Sequence, residues 1–267
     1  MHPVLFQIGN FNIYAWGFML AVAVLIAVGG ISRLFKKEGY DPGMVIDMVI
    51  ILVLVGLFGA RLAYIAVYEW QEFLTRPAMF FGLSGEGFSG LIWYGAFIGG
   101  FIAFLLYIWR HELPFWSTVD MFAPYLALGY ALVRIGCFLN GCCYGLPTTS
   151  PLGVVFPLLD STPRHPTQLY SSALNFLLFF FLIWYFPRRK FTGEIFILYI
   201  MGYSLYRFIV EFFRESLIMC GPLTLGQVYT LVLLAFGILL YVLRMRMNHP
   251  SVFTEGSGGK KEDISGE

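Results

Sequence analysis

Residues 44–67 read MVIDMVIILVLVGLFGARLAYIAV, broken only by Asp47 and Arg61. A helix crossing the hydrocarbon core of a bilayer needs about 20 such residues. A helix on the surface of a soluble domain keeps a polar face, and this run has none. Working outward, comparable runs cover Ile13–Ile31, Gly90–Trp109, Thr118–Leu139, Gln168–Phe186, Gly193–Phe213 and Leu225–Leu243. They are too long, and too apolar on all sides, for the alternating ten-residue strands of a membrane barrel. The pattern predicts an all-α integral membrane protein with seven transmembrane helices.

Composition agrees. Of 267 residues, 58% are hydrophobic and 12% charged, with a mean hydropathy of +0.75. A soluble domain is about one-quarter charged, so a soluble enzyme is excluded. Net charge is +1, which argues against a nucleic-acid partner. Seven runs would place Arg33, Lys36, Lys37, Arg110, Arg188, Arg189, Lys190, Arg244, Arg246, Lys260 and Lys261 on one side, against Arg76, Arg164 and Arg214 on the other. Basic residues mark the cytoplasmic side. The expected orientation is N-terminus outside and C-terminus in the cytoplasm. Basic residues follow the first run instead of preceding it, so it reads as a span and not a cleavable signal. Residues 1–248 form one transmembrane domain, and the Gly-, Ser- and charge-rich 249–267 reads as a disordered cytoplasmic tail. Two outer loops have any size, about Tyr68–Ser89 and Asn140–Thr167.

Arg61, Arg134 and Arg207 fall inside predicted spans. A charge at membrane depth costs roughly 2.5–3.5 kcal/mol on insertion scales and is usually paired or lines a cavity. Tyr203, Arg207 and Glu211 recur every four residues, on one helix face, and Arg214 continues that face toward the interface. Arg134 lies toward the outer end of the fourth run, at the same depth. Guanidinium forks match phosphate oxygens, so the residues alone suggest a phospholipid headgroup site near the outer leaflet. Arg207–Glu211 as a self-neutralising pair, with Arg134 and Arg214 snorkelling, is the structural alternative. Arg61, near the outer end of its run, reads as structural.

The densest segment is 134–145, RIGCFLNGCCYG. Gly136, Gly141 and Gly145 permit close approach and positive φ, and Asn140 can offer an amide to a headgroup. In 164–170, RHPTQLY, Pro166 and Thr167 read as the start and cap of the fifth span. Cys137, Cys142, Cys143 and Cys220 all fall on the outer side. Cys-x4-Cys-Cys lacks the paired spacing and histidine of a structural zinc site, so no metal and no cofactor is expected. An oxidising compartment allows a bridge from Cys142 or Cys143 to Cys220; small packing residues are the alternative. Gly56, Gly59, Gly95 and Gly99 offer faces for close helix packing.

The chain resembles the prolipoprotein diacylglyceryl transferase family along nearly its whole length. The likeness lies in Trp16-Gly-Phe-Met, Gly56-x-x-Gly59-Ala-Arg61, Trp93-Tyr-Gly-Ala-Phe-Ile-Gly99, the 134–145 and 164–170 segments, Tyr203-x-x-x-Arg207-x-x-x-Glu211-x-x-Arg214 and Leu223-Thr-Leu-Gly-Gln227. The resemblance implies a seven-span enzyme of the cytoplasmic (inner) membrane. Its partners would be phosphatidylglycerol and a prolipoprotein signal peptide bearing a lipobox cysteine. The diacylglyceryl group would pass to that thiol, releasing glycerol 1-phosphate. Arg134 and Arg207 would hold the lipid phosphate and Glu211 would orient Arg207. Tyr203, Asn140, Gly145, Arg214, Trp16 and His165 would complete the catalytic and substrate-binding set. Tyr94 stands where many members carry histidine, Trp16 where tyrosine is usual, and Cys137 and Cys142 replace Asn and Glu. Those departures motivate a competing reading, a relative with altered activity. A lipid or anion transporter would need polar residues through the cytoplasmic half, where only Asp47 and Asn175 stand.

Overall fold

The computed structural model describes residues 3–8, 11–77, 80, 92–214 and 219–247. The expected tail, 249–267, lies outside the described residues. The chain opens with an antiparallel hairpin, β1 (Val4–Ile8) and β2 (Phe11–Tyr14), in which Phe6 faces Ile13 and Gln7 faces Asn12. A search for long apolar runs passes over this hairpin because its strands are five and four residues long and are interrupted by Gln7 and Asn12. It also absorbs Ile13, so the first long helix, α1, spans Ala15–Lys37.

The other predicted spans each become a helix: α2 (Gly43–Tyr64), α4 (Trp93–Arg110), α5 (Phe115–Asn140), α6 (Thr167–Tyr185), α7 (Glu194–Glu211) and α8 (Leu225–Met247). Beyond α2 the chain does not enter a loop at Tyr68. A wider π-helical turn over Ile65–Glu69 leads into α3 (Trp70–Thr75). Arg61 is buried, 4% exposed, pairs with Glu69 at 3.7 Å and donates to the Phe80 carbonyl at 3.3 Å. It is held by protein rather than snorkelling to headgroups. Six helical stretches among the described residues are long and apolar enough to cross a membrane. The remaining helix, α7, is 18 residues long and carries Glu194, Arg207 and Glu211.

Helix α5 is the axis of the bundle, packed by α1, α6 and α7; α8 lies on α7, and α4 on α2. The α2–α4 crossing is close because glycine faces glycine. A Cβ on Gly59 would sit 2.5 Å from the Gly95 carbonyl, and one on Gly99 would sit 2.8 Å from that of Val55. The close-packing role read from sequence is the one these glycines have.

The bundle has two unlike ends. One is apolar: Ile31, Leu34 and Phe35 from the close of α1 meet Val45 and Met48 from the start of α2, Phe104 and Ile108 of α4, Val119 and Met121 of α5, Leu182 and Ile195. Its charges are satisfied by the chain itself. Buried Asp120 accepts from the Gly193 and Phe196 amides at 2.7 and 2.9 Å, capping α7, with Arg189 behind it at 3.9 Å. Arg189 also pairs with Glu38 at 2.6 Å. Buried Glu194 accepts from the hydroxyls of Tyr185 and Tyr241, both at 3.0 Å. The opposite end gathers the C-terminal turns of α5 and α7, the first turns of α6 and α8, and the 141–166 loop.

Candidate active site

Arg134 leaves α5 one turn beyond Tyr130, its guanidinium donating to the Tyr130 hydroxyl and lying 4.7 Å from that ring's centre. The same ring meets Tyr203 of α7 edge-on at 6.1 Å and Tyr206 at 6.2 Å. Tyr203 stands within electrostatic reach of both Arg134 and Arg207, so side chains from two helices converge around it. Arg207 pairs with Glu211 one turn on. Arg214, just past α7, is partly buried beside them. Burial first, then the charges of Arg207 and Arg134, lower its pKa from the ordinary arginine value. Among the described residues Glu211 is the one carboxylate close by, and it pairs with Arg207. Among the described residues neither Arg134 nor Arg214 has an ion pair. The cluster therefore carries excess positive charge.

Support for Glu211 comes from α8. Thr224 and Gln227 form a reciprocal capping box: the Gln227 amide reaches the Thr224 hydroxyl at 3.1 Å, and the Thr224 amide reaches Gln227 Oε1 at 3.0 Å. The same Thr224 hydroxyl donates to Glu211 at 3.3 Å. Gly226 leaves the room, since a Cβ there would stand 2.5 Å from Glu211 Oε1.

The loop after α5 is clamped between α6 and α7. Gly141, at φ +74°, ends α5. Gly136 and Gly145 are not at positive φ; each permits a close approach instead. A Cβ on Gly136 would stand 2.9 Å from the Trp16 Cα, and one on Gly145 would stand 2.7 Å from the Thr167 methyl. The Gly145 amide donates to the His165 carbonyl at 2.9 Å and the Leu146 amide to that of Phe213 at 2.9 Å. Thr167 does not cap α6 as its sequence position suggested. Pro166 takes that position, and the Thr167 hydroxyl donates to the Cys143 carbonyl at 2.9 Å. Fully buried Gln168 donates to the Cys142 carbonyl at 2.6 Å. Cys137, Cys142 and Cys143 are free thiols, so the bridge to Cys220 is not made. Hydrogen bonds from Cys137 and Cys142, with Arg134 and Arg214 nearby, hold the Cys143 thiol well below the usual thiol range.

The structure thus brings Arg134, Arg207, Arg214, Tyr203 and Glu211 together, with Gly145 below them in the clamped loop and Asn140 on the last turn of α5. Trp16 opens α1 where that helix meets α5 at Gly136. His165 is taken up by packing: Nδ1 lies 3.1 Å from the Tyr170 hydroxyl and the ring 5.1 Å from Phe213. Tyr94 stands apart. Its ring is 71% exposed at the start of α4, edge-on to Trp93 at 5.3 Å, and no contact among the described residues ties it to the arginines. Sequence reading missed Tyr130, which the four-residue spacing to Arg134 could have flagged. It also missed the capping box written in Thr224-Leu-Gly-Gln227.

A family model described as prolipoprotein diacylglyceryl transferase matches residues 3–243. Curated relatives named phosphatidylglycerol–prolipoprotein diacylglyceryl transferase include one from Clostridium tetani, 39% identical over 80% of this chain and 86% of its own. Another, from Synechococcus elongatus, is 33% identical over 97% of this chain and 93% of its own. A Clostridium perfringens protein with the same name, numbered 2, is 35% identical over 90% and 94%.

Proposed function

This chain belongs to the prolipoprotein diacylglyceryl transferase family, and from that premise we propose that it moves the diacylglyceryl group of phosphatidylglycerol onto the lipobox cysteine thiol of a prolipoprotein. The observation that carries the reading is the gathering of Arg134, Arg207 and Arg214, of which Arg207 is paired with Glu211, at the end of the bundle opposite the apolar core. We propose further that α7 crosses the membrane with the other six helices, N-terminus outside. The bias of basic side chains toward one side supports this. The arginines would then face the outer leaflet of the inner membrane, the side on which a secreted precursor emerges.

Arg134 and Arg214, which have no ion pair among the described residues, offer forks to the lipid phosphodiester, and Arg207, held by Glu211, offers a third. The thiol sulfur forms a bond to the terminal methylene of the diacylglyceryl group. The carbon–oxygen bond breaks, its electron pair goes to the phosphate oxygen, and the thiol proton is released as glycerol 1-phosphate departs. Charge grows on that oxygen in the transition state, and cationic donors already in place stabilise it most in a site poor in water. Tyr203 and Asn140 remain to hydrogen-bond the headgroup.

The test uses purified protein, labelled phosphatidylglycerol and a lipobox peptide. Arg134→Ala and Arg207→Ala are each expected to lower transfer by about a hundredfold or more, the usual cost of losing one such donor. Tyr94→Phe is expected to keep transfer. Full turnover in folded Arg134→Ala protein would overturn the reading.

A further inference from the structure

Cys-x4-Cys-Cys is an unpromising metal spacing in an extended chain, but the turn after α5 changes its geometry. Gly141 reverses the backbone, the Cys142 amide returns to the Cys137 carbonyl at 3.1 Å, and Cys143 adopts φ +64°, a left-handed conformation costly for a residue with a Cβ. Gln168 and Thr167 hold the carbonyls of Cys142 and Cys143 at 2.6 and 2.9 Å. The three sulfurs end within 4.8 Å of one another, those of Cys142 and Cys143 3.6 Å apart. Thiolates on one tetrahedral zinc, each about 2.3 Å from the metal, would be about 3.8 Å apart. Contraction of the widest sulfur separation by up to about 1 Å closes the triad. Packing alone does not explain it, because only Cys137 is buried; Cys142 is half-buried and Cys143 exposed. Three thiolates around a dication are net anionic, and Arg134 and Arg214 lie within electrostatic reach of Cys143. Arginines that would repel a hydrated cation favour this complex.

We propose that Cys137, Cys142 and Cys143 form a three-thiolate site for a thiophilic metal ion of the zinc class, whose fourth position, on the open side at Cys143, takes the substrate thiol. The second half of this proposal rests on the transferase reading above. The thiol loses its proton to water as its sulfur takes the fourth position. That sulfur then forms the bond to the diacylglyceryl methylene while the carbon–oxygen electron pair leaves with the phosphate. The thioether produced is neutral and a weak ligand, so it departs, and no redox change occurs. The ion would supply the thiolate that the isolated Tyr94 and the packed His165 are poorly placed to generate.

The experiment uses the full chain, purified in detergent under reducing conditions, stripped with a chelator and titrated with cobalt(II) as the spectroscopic stand-in for zinc. One equivalent is expected to bind with a thiolate-to-cobalt charge-transfer band that zinc abolishes. Exposed Cys143→Ser should weaken binding roughly tenfold or more, and the triple serine variant should lose the band, whereas Cys220→Ser should keep it. Adding a lipobox peptide should shift the cobalt d–d bands; its Cys→Ser analogue should not. Absence of the band in folded wild-type protein, or its persistence in the triple variant, would overturn the site. Full-rate transfer by the triple variant would overturn the fourth-ligand role and leave the transferase reading standing. Cobalt binding without transfer, whether zinc is present or absent, would leave the site and remove that reading.

Discussion

Replacing Gly226 by alanine isolates the contribution of Glu211's position without touching a charge. The added Cβ would lie 2.5 Å from Glu211 Oε1 and 2.8 Å from its carboxyl carbon. Relaxed contacts between heavy atoms begin near about 3.5 Å, so the carboxylate must retreat by roughly 1 Å. It is buried and tied to Arg207 and to Thr224, and its retreat draws the Arg207 guanidinium with it. A misplacement of that size can cost about a hundredfold in rate, which is about 2.7 kcal/mol at roughly 1.4 kcal/mol per tenfold. Helix propensity works the other way, since alanine favours a helix over glycine by about 1 kcal/mol. Gly226→Ala should therefore transfer roughly a hundredfold more slowly while melting no lower than the parent in detergent. Gly29→Ala is the control: nothing lies within 4 Å of its added Cβ, so it should gain the helical preference and keep its turnover. Parental turnover in Gly226→Ala would mean that the position of Glu211, and through it of Arg207, does not matter to the reaction.

Tyr130→Phe keeps the ring beside Arg134 but removes the hydroxyl that accepts from it; transfer should fall about tenfold, the lower end for a hydrogen bond to a charged group, and an unchanged rate would detach Tyr130 from the site. Gly95→Leu forces a side chain against the Gly59 backbone and Ala63 and should destabilise by about 1–3 kcal/mol, read as a lower melting temperature; an unchanged melt would contradict the close α2–α4 crossing. Arg164 first, and the Thr162 amide with it, hold the exposed Asp160 carboxyl below its ordinary value. Their contribution is full above the ordinary carboxylate pKa and lost as pH falls through the lower folded value, so proteolysis of the 150–163 loop should rise only in that acid window, and Asp160→Asn should raise it at neutral pH. Zwitterionic phosphatidylethanolamine adds a cation about 8 Å from the guanidiniums, worth roughly 2 kcal/mol of repulsion at an effective dielectric near 20, so phosphatidylglycerol should bind preferentially in lipid exchange, and equal binding would count against an arginine-held headgroup.

Helix positions were legible because a bilayer forces each crossing segment to be long and apolar, and every predicted run overlaps one of the long helices. What escaped were features of short range. The β1–β2 hairpin hides in two strands of five and four residues just before α1, and the π turn at Ile65–Glu69 extends a helix where a loop was expected. Arginines 134 and 207 were visible because charge inside an apolar run is conspicuous; that they meet around Tyr203 depends on how α5 packs on α7, which no single run records. Tyr94 was singled out by the family resemblance; its exposure depends on Gly95 beside it facing Gly59 of α2, which the sequence does not record. That the three cysteine sulfurs come together is not visible from spacing, since counting residues assumes an ordinary backbone and Cys143 does not have one.

The two ends of the bundle show how buried charge separates structure from function in this chain. Taking any ion to membrane depth costs a few kcal/mol, and at the apolar end the fold offsets that cost internally. Asp120 receives two backbone amides and a guanidinium, and Glu194 receives two tyrosine hydroxyls. Nothing in those groups asks for a ligand. At the other end the same accounting does not close among the described residues: three guanidiniums gather with one carboxylate, and the surrounding tyrosines can accept hydrogen bonds but cannot neutralise them. Folding alone gives no reason to keep such an imbalance, because exchanging Arg134 for an apolar residue would remove a desolvation penalty and cost only its contact with Tyr130. An anion that arrives from outside the chain supplies the missing charge, and a lipid phosphate does so at the depth where these side chains already stand.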